Sequence, residues 1–457
     1  MIPHIKQLIL KGFSENPIFL KLHNFLLANR DNKITDNIKS EILALEQLST
    51  EQVKSLNEKE FKKILRHAYT TTPYYKTLFD KYNIDTTNWS NYREIPVLNK
   101  SIIKDHGKDL ISSNYDIKFL GKRFTGGSTG QPMEFYTEKR GGLRDNAHHW
   151  YLYHLIGYKP GEIILGFYGR QVSEKYTDKN IYWNKTIGDN VFGDYVFSLF
   201  YLNDQTAPYY VEKIIALRPT ILRGYPSFLN SLATYILSNN IRLVLNIKGV
   251  VLTAELCSDI QRENIEQAFG CKVYLEYGHK EISVFCHSTA TSYKYFSAPL
   301  YCYLEVLNDD GTETPIGQVG RIVTTGFCNY GMPFIRYDTA DLGRVSSRNG
   351  GVVTLSEIMG RSQDYLIDKN NEKINLIATI YRYKIDAFKR IKRWQIKQNV
   401  PGKIEILIIP DTQFSKDDEL EILNTVELFK KFIVEFHYVD DIPKSKIGKH
   451  LAVLQNI

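Results

Sequence analysis

The sequence predicts an α/β fold, with a large N-terminal part built on a parallel sheet and a small α+β part at the C-terminus. Strand and helix patterns alternate from residue 160 to residue 330, which is typical of a parallel sheet covered by helices on both faces. Residues 300–355 are rich in strand patterns and predict an added antiparallel unit. A second set of strands and helices follows residue 361, so we expect domains at 1–360 and 361–457.

The composition is that of an ordinary globular protein. A length of 457 residues predicts two or three domains, and 43% hydrophobic with 24% charged residues fits a packed fold. The net charge of +7 is not gathered into a Lys/Arg block, which argues against nucleic-acid binding. Lys6 and Lys11 interrupt the apolar N-terminus, so it does not read as a signal peptide, and no apolar run approaches membrane-spanning length. Five cysteines without a CxxC pair indicate a reduced, cytoplasmic protein.

The first hundred residues predict a helical packing subdomain. Residues 15–60 are polar with a helical pattern, and residues 61–69 carry apolar side chains at helical spacing. This helix should break before Pro73. Residues 95–100 should be extended, because the residue before Pro96 is pushed out of the helical region.

The alternating segment predicts the strands 162–168, 220–223, 248–253 and 272–277 and the helices 209–217, 227–237 and 258–269. Ser227 is expected to cap the second of these helices, and Gly270 to end the third. Ligands of parallel sheets bind beyond the carboxyl ends of the strands, so the residues after Thr253 and after Tyr277 are candidate site residues.

The later patterns predict the strands 302–307, 320–325 and 352–355 in the antiparallel unit. In the C-terminal part they predict the strands 364–367, 394–397, 404–409 and 432–438 and the helices 376–390 and 416–429.

A glycine-rich stretch at residues 122–136 is a candidate phosphate loop. Glycine permits backbone conformations in which consecutive N–H groups point at one anion, and hydroxyls add further donors. The five positions concerned are Gly126, Gly127, Ser128, Thr129 and Gly130. Apolar residues alternate on both sides, which predicts two strands joined by a long turn. An ordinary flexible hairpin turn is the equally weighted alternative.

Two later motifs carry candidate ligands, each with a structural alternative. Tyr277 ends a predicted strand and could stack on a flat base, while Glu281 could hold Mg²⁺ through its oxygens; alternatively they are a core residue and a solvated acid. Arg336, Asp338 and Asp341 could bind a vicinal diol such as ribose, or could be a surface ion pair.

The C-terminal part carries two more motifs. Arg361 could contact phosphate or ribose and Asp364 could act as a hinge, or both could belong to a plain linker. The sequence Lys-Ser-Lys-Ile-Gly-Lys at 444–449 could place one ammonium at a developing negative charge, or could be a solvated basic tail. A structural zinc site among the cysteines and His287 also stays open, although the spacing matches no compact signature.

The order and spacing of these motifs resemble the adenylate-forming superfamily of acyl-CoA synthetases along nearly the whole chain. Within it the sequence is similar to the branch of phenylacetate–CoA ligases and the CapK-like proteins of capsule biosynthesis. The features that carry this finer likeness are Arg66-His-Ala-Tyr69, Pro73-Tyr-Tyr75, Ile95-Pro-Val-Leu-Asn-Lys100, the Thr-Gly-Gly opening of the glycine loop, Trp394-Gln-Ile-Lys-Gln398 and the ending Lys-Ser-Lys-Ile-Gly-Lys.

The resemblance implies an enzyme that uses ATP and Mg²⁺ to convert a carboxylate into an acyl-adenylate, from which a nucleophile displaces AMP. It implies that Lys449 is catalytic, that Asp364 marks the hinge of a mobile small domain and that Glu281 binds the metal. The implied ATP-binding residues are Thr125, Gly126, Gly127, Ser128, Thr129, Gly130, Thr253, Ala254, Glu255, Tyr277, Gly278, Asp341 and Arg361. The implied substrate pocket contains Tyr168, Tyr225, His279 and Lys280.

Two residues depart from the pattern of the superfamily. Lys280 stands where a threonine is usual, so a contact with the α-phosphate there would be ionic or absent. Ala340 stands where a glycine is usual in the Thr-Gly-Asp motif, so an alanine must accept a glycine-type backbone.

The leading interpretation is an ATP-dependent ligase of a surface-polysaccharide pathway that joins a carboxylate to an amine or hydroxyl acceptor. An aryl- or acyl-CoA ligase, with the thiol of CoA as acceptor, is the alternative of the same class. A non-catalytic nucleotide-binding partner protein is the alternative of another class, and the joint presence of Glu281, Asp341 and Lys449 argues against it. The sequence does not identify the carboxylate, the acceptor or the oligomeric state.

Overall fold

The computed structural model describes residues 33–125, 133–186, 191–349, 351–361, 365–374, 380, 385–411, 413–442 and 451–457. The side chains at 33–35, 361, 373 and 389 are not among the parts described. The predictions for Gly126–Gly130, Asp364 and Lys449 therefore lie outside the described residues.

Helices form the N-terminal layer, as the polar and amphipathic patterns predict. They are α1 (Lys33–Ala44), α2 (Thr50–Thr71), α3 (Pro73–Lys81) and α4 (Lys100–Asp105). Ser49 begins α2 with a capping box, in which its hydroxyl accepts from Gln52 N and the Gln52 side chain accepts from Ser49 N. Helix α2 ends before Thr72, and Pro73 then begins α3 at the position where a missing N–H costs least.

The glycine-rich stretch lies between the two strands that the alternation predicts. Strand β1 (Gly121–Phe124) pairs antiparallel with β2 (Glu134–Thr137), with Phe124 opposite Glu134. Helix α5 (Lys139–Leu155) follows the hairpin.

One twelve-stranded sheet organises the middle of the chain. Its order is β11-β12-β13-β14-β10-β9-β8-β7-β6-β3-β5-β4. The strands are β3 (Ile164–Tyr168), β4 (Trp183–Lys185), β5 (Tyr195–Ser198), β6 (Ile221–Gly224), β7 (Gly249–Thr253), β8 (Lys272–Gly278), β9 (Phe285–Thr289), β10 (Ser292–Ser297), β11 (Cys302–Leu307), β12 (Val319–Gly326), β13 (Tyr337–Asn349) and β14 (Val352–Arg361).

The sheet has a block of five parallel strands, with the antiparallel edge strand β4 on one side and an antiparallel unit on the other. Strands β5, β3, β6, β7 and β8 are parallel, and β8 to β14 pair antiparallel. The helices of this region are α6 (Glu174–Thr177), α7 (Ala207–Leu217), α8 (Pro226–Ser238) and α9 (Asp259–Phe269). The α/β class is confirmed, with the refinement that the parallel strands and the antiparallel unit form a single sheet.

The predicted cap of α8 is wrong. The helix begins at Pro226 with Tyr225 as its N-cap, so Ser227 already lies inside the first turn and the Ser227 hydroxyl makes no cap hydrogen bond. The Ser227 N–H donates instead to Glu255 Oε2 at 3.1 Å, so a carboxylate from the end of the neighbouring strand caps this helix. Gly270 does end α9, with a φ of 64°.

The C-terminal residues form a second, four-stranded sheet of order β19-β18-β17-β20. Its elements and their neighbours are β15 (Leu366–Ile367), β16 (Lys373–Ile374), β17 (Ile391–Val400), β18 (Lys403–Pro410), α10 (Lys416–Thr425), β19 (Ile433–Tyr438) and β20 (Val453–Gln455). This sheet packs around its own core, which includes Ile396, Ile406 and Ile422.

Both predicted helices of this part extend past residues that the structure describes as non-helical, although Ile380 is helical. Where a helix is predicted at 376–390, Ile385 is extended and Asp386–Arg390 is a 3-10 turn, because the Glu421 carboxylate accepts from the N–H groups of Asp386 and Ala387. The second helix ends at Thr425, because the buried Val426 leaves the helical conformation and a 3-10 turn follows it. Among the helices described, none has the length and apolar character needed to cross a bilayer.

Candidate active site

The nucleotide-binding candidates converge where β8 ends. Tyr277 is the second-to-last residue of this strand, and its hydroxyl donates to Asp341 Oδ2 at 2.8 Å. Asp341 belongs to β13, which three other strands separate from β8 in the sheet order, so the sheet curves to bring them together. Burial and the Asp341 carboxylate raise the pKa of Tyr277 well above its usual range, so the phenol stays a donor. Arg361 lies opposite Asp341 in the pairing of β13 with β14.

Glu281 is buried beside this pair, with 7% of its surface exposed. Tyr337 Oη donates to Glu281 Oε1 at 3.0 Å, and His279 Nδ1 lies 3.3 Å from Oε2. Burial and the Glu281 charge raise the pKa of Tyr337 well above its usual range. A carboxylate has about four acceptor sites, so these contacts leave lone pairs for a hard cation such as Mg²⁺. Glu281 fits the predicted metal role on this ground.

Four non-glycine residues in the candidate motifs have a left-handed backbone. They are Ala254 (φ 70°), Ile282 (φ 48°), Arg336 (φ 49°) and Ala340 (φ 64°). At Ala340 the local hydrogen bonds hold this geometry, because its N–H donates to Asp338 Oδ1 at 2.8 Å and the next N–H, of Asp341, donates to Thr339 Oγ1 at 3.1 Å. Such conformations cost energy and collect at functional sites. Alanine therefore does accept the glycine-type backbone that the departing motif requires.

Arg336 and Asp338 have structural partners and do not join the candidate site. Arg336 is buried and its guanidinium makes a two-point ion pair with Glu305, at 3.1 and 3.2 Å. It also donates to the carbonyl of Ile95 at 2.6 Å. Asp338 pairs with Arg321 at 2.7 Å. Of the three charged residues in this motif, the structure brings Asp341 to the other candidates.

Thr125 and Met133, the described residues on either side of the glycine-rich stretch, are joined by two hydrogen bonds. The Thr125 N–H donates to the Met133 carbonyl at 3.0 Å, and the Thr125 hydroxyl accepts from Met133 N at 2.9 Å. This arrangement fixes the two ends of the predicted phosphate loop next to each other.

The predicted acyl-pocket residues gather at the carboxyl ends of β3 and β6. The rings of Tyr168 and Tyr225 meet edge to face, with centroids 5.4 Å apart. Phe192, which is 41% exposed, lies near Arg223 of β6: the centroid of its ring is 5.3 Å from the Arg223 guanidinium and 5.3 Å from the centroid of the His149 ring. Of the other predicted pocket residues, His279 lies beside Glu281 and Lys280 is exposed, so the structure does not bring either of them to the two tyrosines.

A buried polar network at the same strand ends was not predicted. Arg223, in β6, makes a two-point ion pair with Glu276, in β8, and Thr253 at the end of β7 donates to Glu276 Oε1 at 3.1 Å. His149, from α5, lies 3.1 Å from Glu276 Oε2. Burial alone would raise the pKa of Glu276, but the Arg223 charge and the His149 contact outweigh it and hold that pKa well below its usual range. The available signal was a charged residue close to the carboxyl end of each of two buried strands.

The remaining predicted residues lie around this network. Ala254 is exposed directly after β7, and Glu255 caps α8 as described. Gly278 ends β8 opposite Phe285. The thiols of Cys286, Cys302 and Cys328 are buried and free, and among the described residues no cluster of three or more metal-ligating side chains is found.

Comparison with known proteins gives a consistent set of relatives. Residues 366–456 match the family model of the CapK C-terminal domain. Protein CapK of Staphylococcus aureus is 24% identical over 421 residues, which cover 88% of this chain and 89% of that protein. A phenylacetate-coenzyme A ligase of Thermus thermophilus is 24% identical over 364 residues, covering 71% of this chain and 73% of that protein.

Solved structures share the fold over most of the chain. A 2-hydroxyisobutyryl-CoA ligase in the postadenylation state, in complex with R3-HIB-AMP, superposes with a TM-score of 0.66 at 15% identity, covering 88% of this chain and 89% of that one. The same kind of ligase in the thioesterification state, with 2-HIB-AMP and CoA, gives a TM-score of 0.54 at 16% identity and 90% coverage of both chains. At these identities the likeness concerns the fold.

Proposed function

We propose that this chain, which belongs to the adenylate-forming superfamily in its branch of CapK-like proteins and phenylacetate–CoA ligases, is an AMP-forming ligase. In the first step a carboxylate oxygen of the substrate attacks the α-phosphorus of ATP. The bond from that phosphorus to the β-phosphate oxygen breaks, and pyrophosphate leaves. In the second step a nucleophile attacks the acyl carbon and AMP leaves.

The observation that carries this proposal is the contact between Tyr277 and Asp341 beside Glu281. It supports a nucleotide site, because an aromatic ring, a diol-binding carboxylate and a metal-binding carboxylate lie together beyond the ends of the strands. Asp341 and Arg361 are assigned to the ribose and Tyr277 to the adenine. Mg²⁺ at Glu281 would offset the charge of the phosphates.

The phosphates are assigned to the loop from Thr125 to Gly130, whose ends Thr125 and Met133 hold together. Thr253, Ala254, Glu255 and Gly278 complete the assigned nucleotide-binding set. Lys449 is assigned to the charge that carboxylate and α-phosphate share during adenylation, since one preorganised cation stabilises such a transition state. The division into residues 1–360 and 361–457, with a hinge at Asp364, would move Lys449 in for the first step and out for the second.

The acceptor and the pathway are the finer part of the proposal. As the first candidate we assign an amine or hydroxyl acceptor, in the synthesis of capsule or another surface polysaccharide in the cytoplasm, on the resemblance of the sequence to CapK-like proteins. The phenylacetate-coenzyme A ligase relatives favour the thiol of CoA as the second candidate acceptor.

The first half-reaction is tested by ATP–pyrophosphate exchange with a panel of amino acids, uronic acids and aryl acids. Hydroxylamine in the same assay traps an acyl-adenylate as the hydroxamate, whatever the natural acceptor is. We expect AMP and pyrophosphate as products with an accepted acid. Release of ADP and phosphate would contradict the proposal, and so would ATP binding without exchange on any acid of the panel.

The second half-reaction is tested by adding CoA, amino sugars or amino acids to the enzyme with its preformed acyl-adenylate. Rapid AMP release with an amine or hydroxyl compound, and not with CoA, would support the polysaccharide assignment. Rapid AMP release with CoA alone would support the second candidate instead.

A further inference from the structure

We propose that Tyr168 is the specificity-determining hydrogen-bond donor of the acyl pocket, that Arg223 fixes its direction, and that the preferred acid therefore carries an oxygen acceptor on its acyl group. This inference rests on the proposed function and names the class of its carboxylate. It concerns residues at the carboxyl ends of β3, β6 and β8, away from the nucleotide side.

The direction of the Tyr168 hydroxyl follows from its partner. Arg223 Nε donates to Tyr168 Oη at 2.9 Å. A guanidinium has five donors and no acceptor, so the tyrosine oxygen must accept and the Tyr168 proton cannot be used there. Within the part of the chain that the structure describes, this is the hydrogen bond that the Tyr168 hydroxyl makes. Its proton is therefore available to an acceptor in the pocket.

Arg223 cannot rotate away to release this constraint. Its two terminal nitrogens bind the two oxygens of Glu276, and Glu276 is held in turn by Thr253 and His149. The side chains of Arg223 and Glu276 are 3% and 2% exposed. A planar, two-point pair is geometrically specific, so with both terminal nitrogens on Glu276 the Arg223 Nε–H is directed at Tyr168.

The ion pair of Arg223 with Glu276 brings no net charge to the acid. The positive charge of Arg223 is matched by Glu276 at contact distance, so the pocket offers no free cation from this network. The rings near this network are those of Tyr168 and Tyr225, which contact each other, and of Phe192, which lies against the Arg223 guanidinium. The rings suit an apolar face of the acid, and the Tyr168 hydroxyl suits an oxygen acceptor on it.

Two glycines bring Phe192 to this position. A Cβ at Gly166 would collide with the Phe192 carbonyl and would lie 2.8 Å from the Tyr168 ring. Gly193 has a φ of 121°, and a Cβ there would collide with the Gly166 backbone. The segment that carries Phe192 can therefore lie directly on β3, with the Phe192 ring against the Arg223 guanidinium.

The test compares matched acids that differ in oxygen acceptors, in the ATP–pyrophosphate exchange assay. The pairs are 4-hydroxyphenylacetate with phenylacetate, and glucuronate with tetrahydropyran-2-carboxylate. We expect wild-type kcat/KM to favour the oxygenated member of at least one pair by about tenfold or more, since an unpaired buried donor is costly. Tyr168→Phe should abolish that preference through the KM of the acid, with the KM of ATP unchanged.

The control is Tyr158→Phe. The hydroxyl of Tyr158 donates to the Glu162 carbonyl at 3.2 Å near the start of β3, the opposite end of the strand from the pocket. This variant should keep the preference of the wild type. A second variant, Arg223→Gln with Glu276→Gln, removes both charges together, and its preference should shrink because glutamine can accept as well as donate.

The outcomes separate this inference from the proposed function. Equal use of both members of each pair, or a preference that survives in Tyr168→Phe, would overturn the inference while exchange itself upholds adenylation. Absence of exchange with all acids in wild type that binds ATP would count against the proposed function. If the double variant fails to fold, Tyr168→Phe alone still decides the role of the hydroxyl.

Discussion

Ala340 offers a sharp test of the site geometry, because an alanine occupies a left-handed position there (φ 64°). A left-handed conformation costs an L-residue roughly 1–2 kcal/mol. Glycine adopts it freely, but glycine also adds about 0.4–1 kcal/mol of entropy to the unfolded chain. We therefore expect Ala340→Gly to raise the free energy of unfolding by about 0.5–1 kcal/mol. Ala340→Val should lower it, because a β-branched residue resists this conformation more strongly.

The assay is urea-induced unfolding, followed by circular dichroism. Unfolding entropy grows with chain length, so the expected change in Tm is only ~1 °C for a domain of this size, and the denaturant midpoint is the better measure. ATP–pyrophosphate exchange measured alongside should change little in the glycine variant, since Asp341 keeps its place after residue 340.

Ala268→Gly is the matched control, because Ala268 lies inside α9 and has no left-handed strain. Glycine in a helix interior should cost about 1 kcal/mol there. Equal destabilisation of the Ala340 and Ala268 glycine variants would refute the left-handed assignment, and with it the argument that Asp341 is placed by this turn.

Three further predictions concern charge. Lys449→Ala should slow adenylation by roughly two to three orders of magnitude, while it binds ATP almost normally and passes a prepared acyl-adenylate to the acceptor. Lys446→Ala is the control. Equal loss of both half-reactions in Lys449→Ala would make Lys449 structural. Asp341→Asn should weaken ATP binding by about 10–100-fold in calorimetry, because a hydrogen bond to a charged acceptor is lost, and unchanged affinity would remove Asp341 from the nucleotide site. Glu276 has a lowered pKa in the folded protein, so its contribution to the free energy of unfolding is present above the unfolded-state glutamate pKa and is lost as the pH falls from there through the folded-state pKa. The free energy of unfolding, measured against pH in acid, should therefore fall less steeply in the Arg223→Gln, Glu276→Gln double variant than in wild type. Identical slopes would contradict this.

The periodicity of the sequence predicted the parallel strands β3, β6, β7 and β8, because each is a short run of mostly buried residues, but it missed the parallel strand β5. It missed β13, in which Asp338, Ala340 and Asp341 interrupt the apolar alternation with a local turn. The hairpin of β9 and β10 was missed as well. Here buried polar residues such as His287 and Ser288 hide a strand that lies inside a wide sheet.

The candidate site was predicted in its nucleotide half and missed in its polar network. The order of the motifs predicted Tyr277, Glu281 and Asp341 as candidate site residues, because aromatic rings and carboxylates are residue types that commonly bind nucleotides and metals. Arg223 and Glu276 lie 53 residues apart and look like surface charges until the strand register places them together. Pairwise contacts of this kind depend on three-dimensional register, which a single sequence does not contain.

The buried Arg336 has a consequence for the order in which the chain can fold. Its guanidinium is satisfied by Glu305 and by backbone carbonyls about 240 residues earlier, including that of Ile95, 241 positions away. During synthesis, the carbonyls of the N-terminal segment can therefore accept from the Arg336 guanidinium only after most of the large sheet has been made. Contacts of such sequence separation slow folding and leave partly folded chains exposed, so we expect chaperone dependence to be highest before residue 336 emerges from the ribosome.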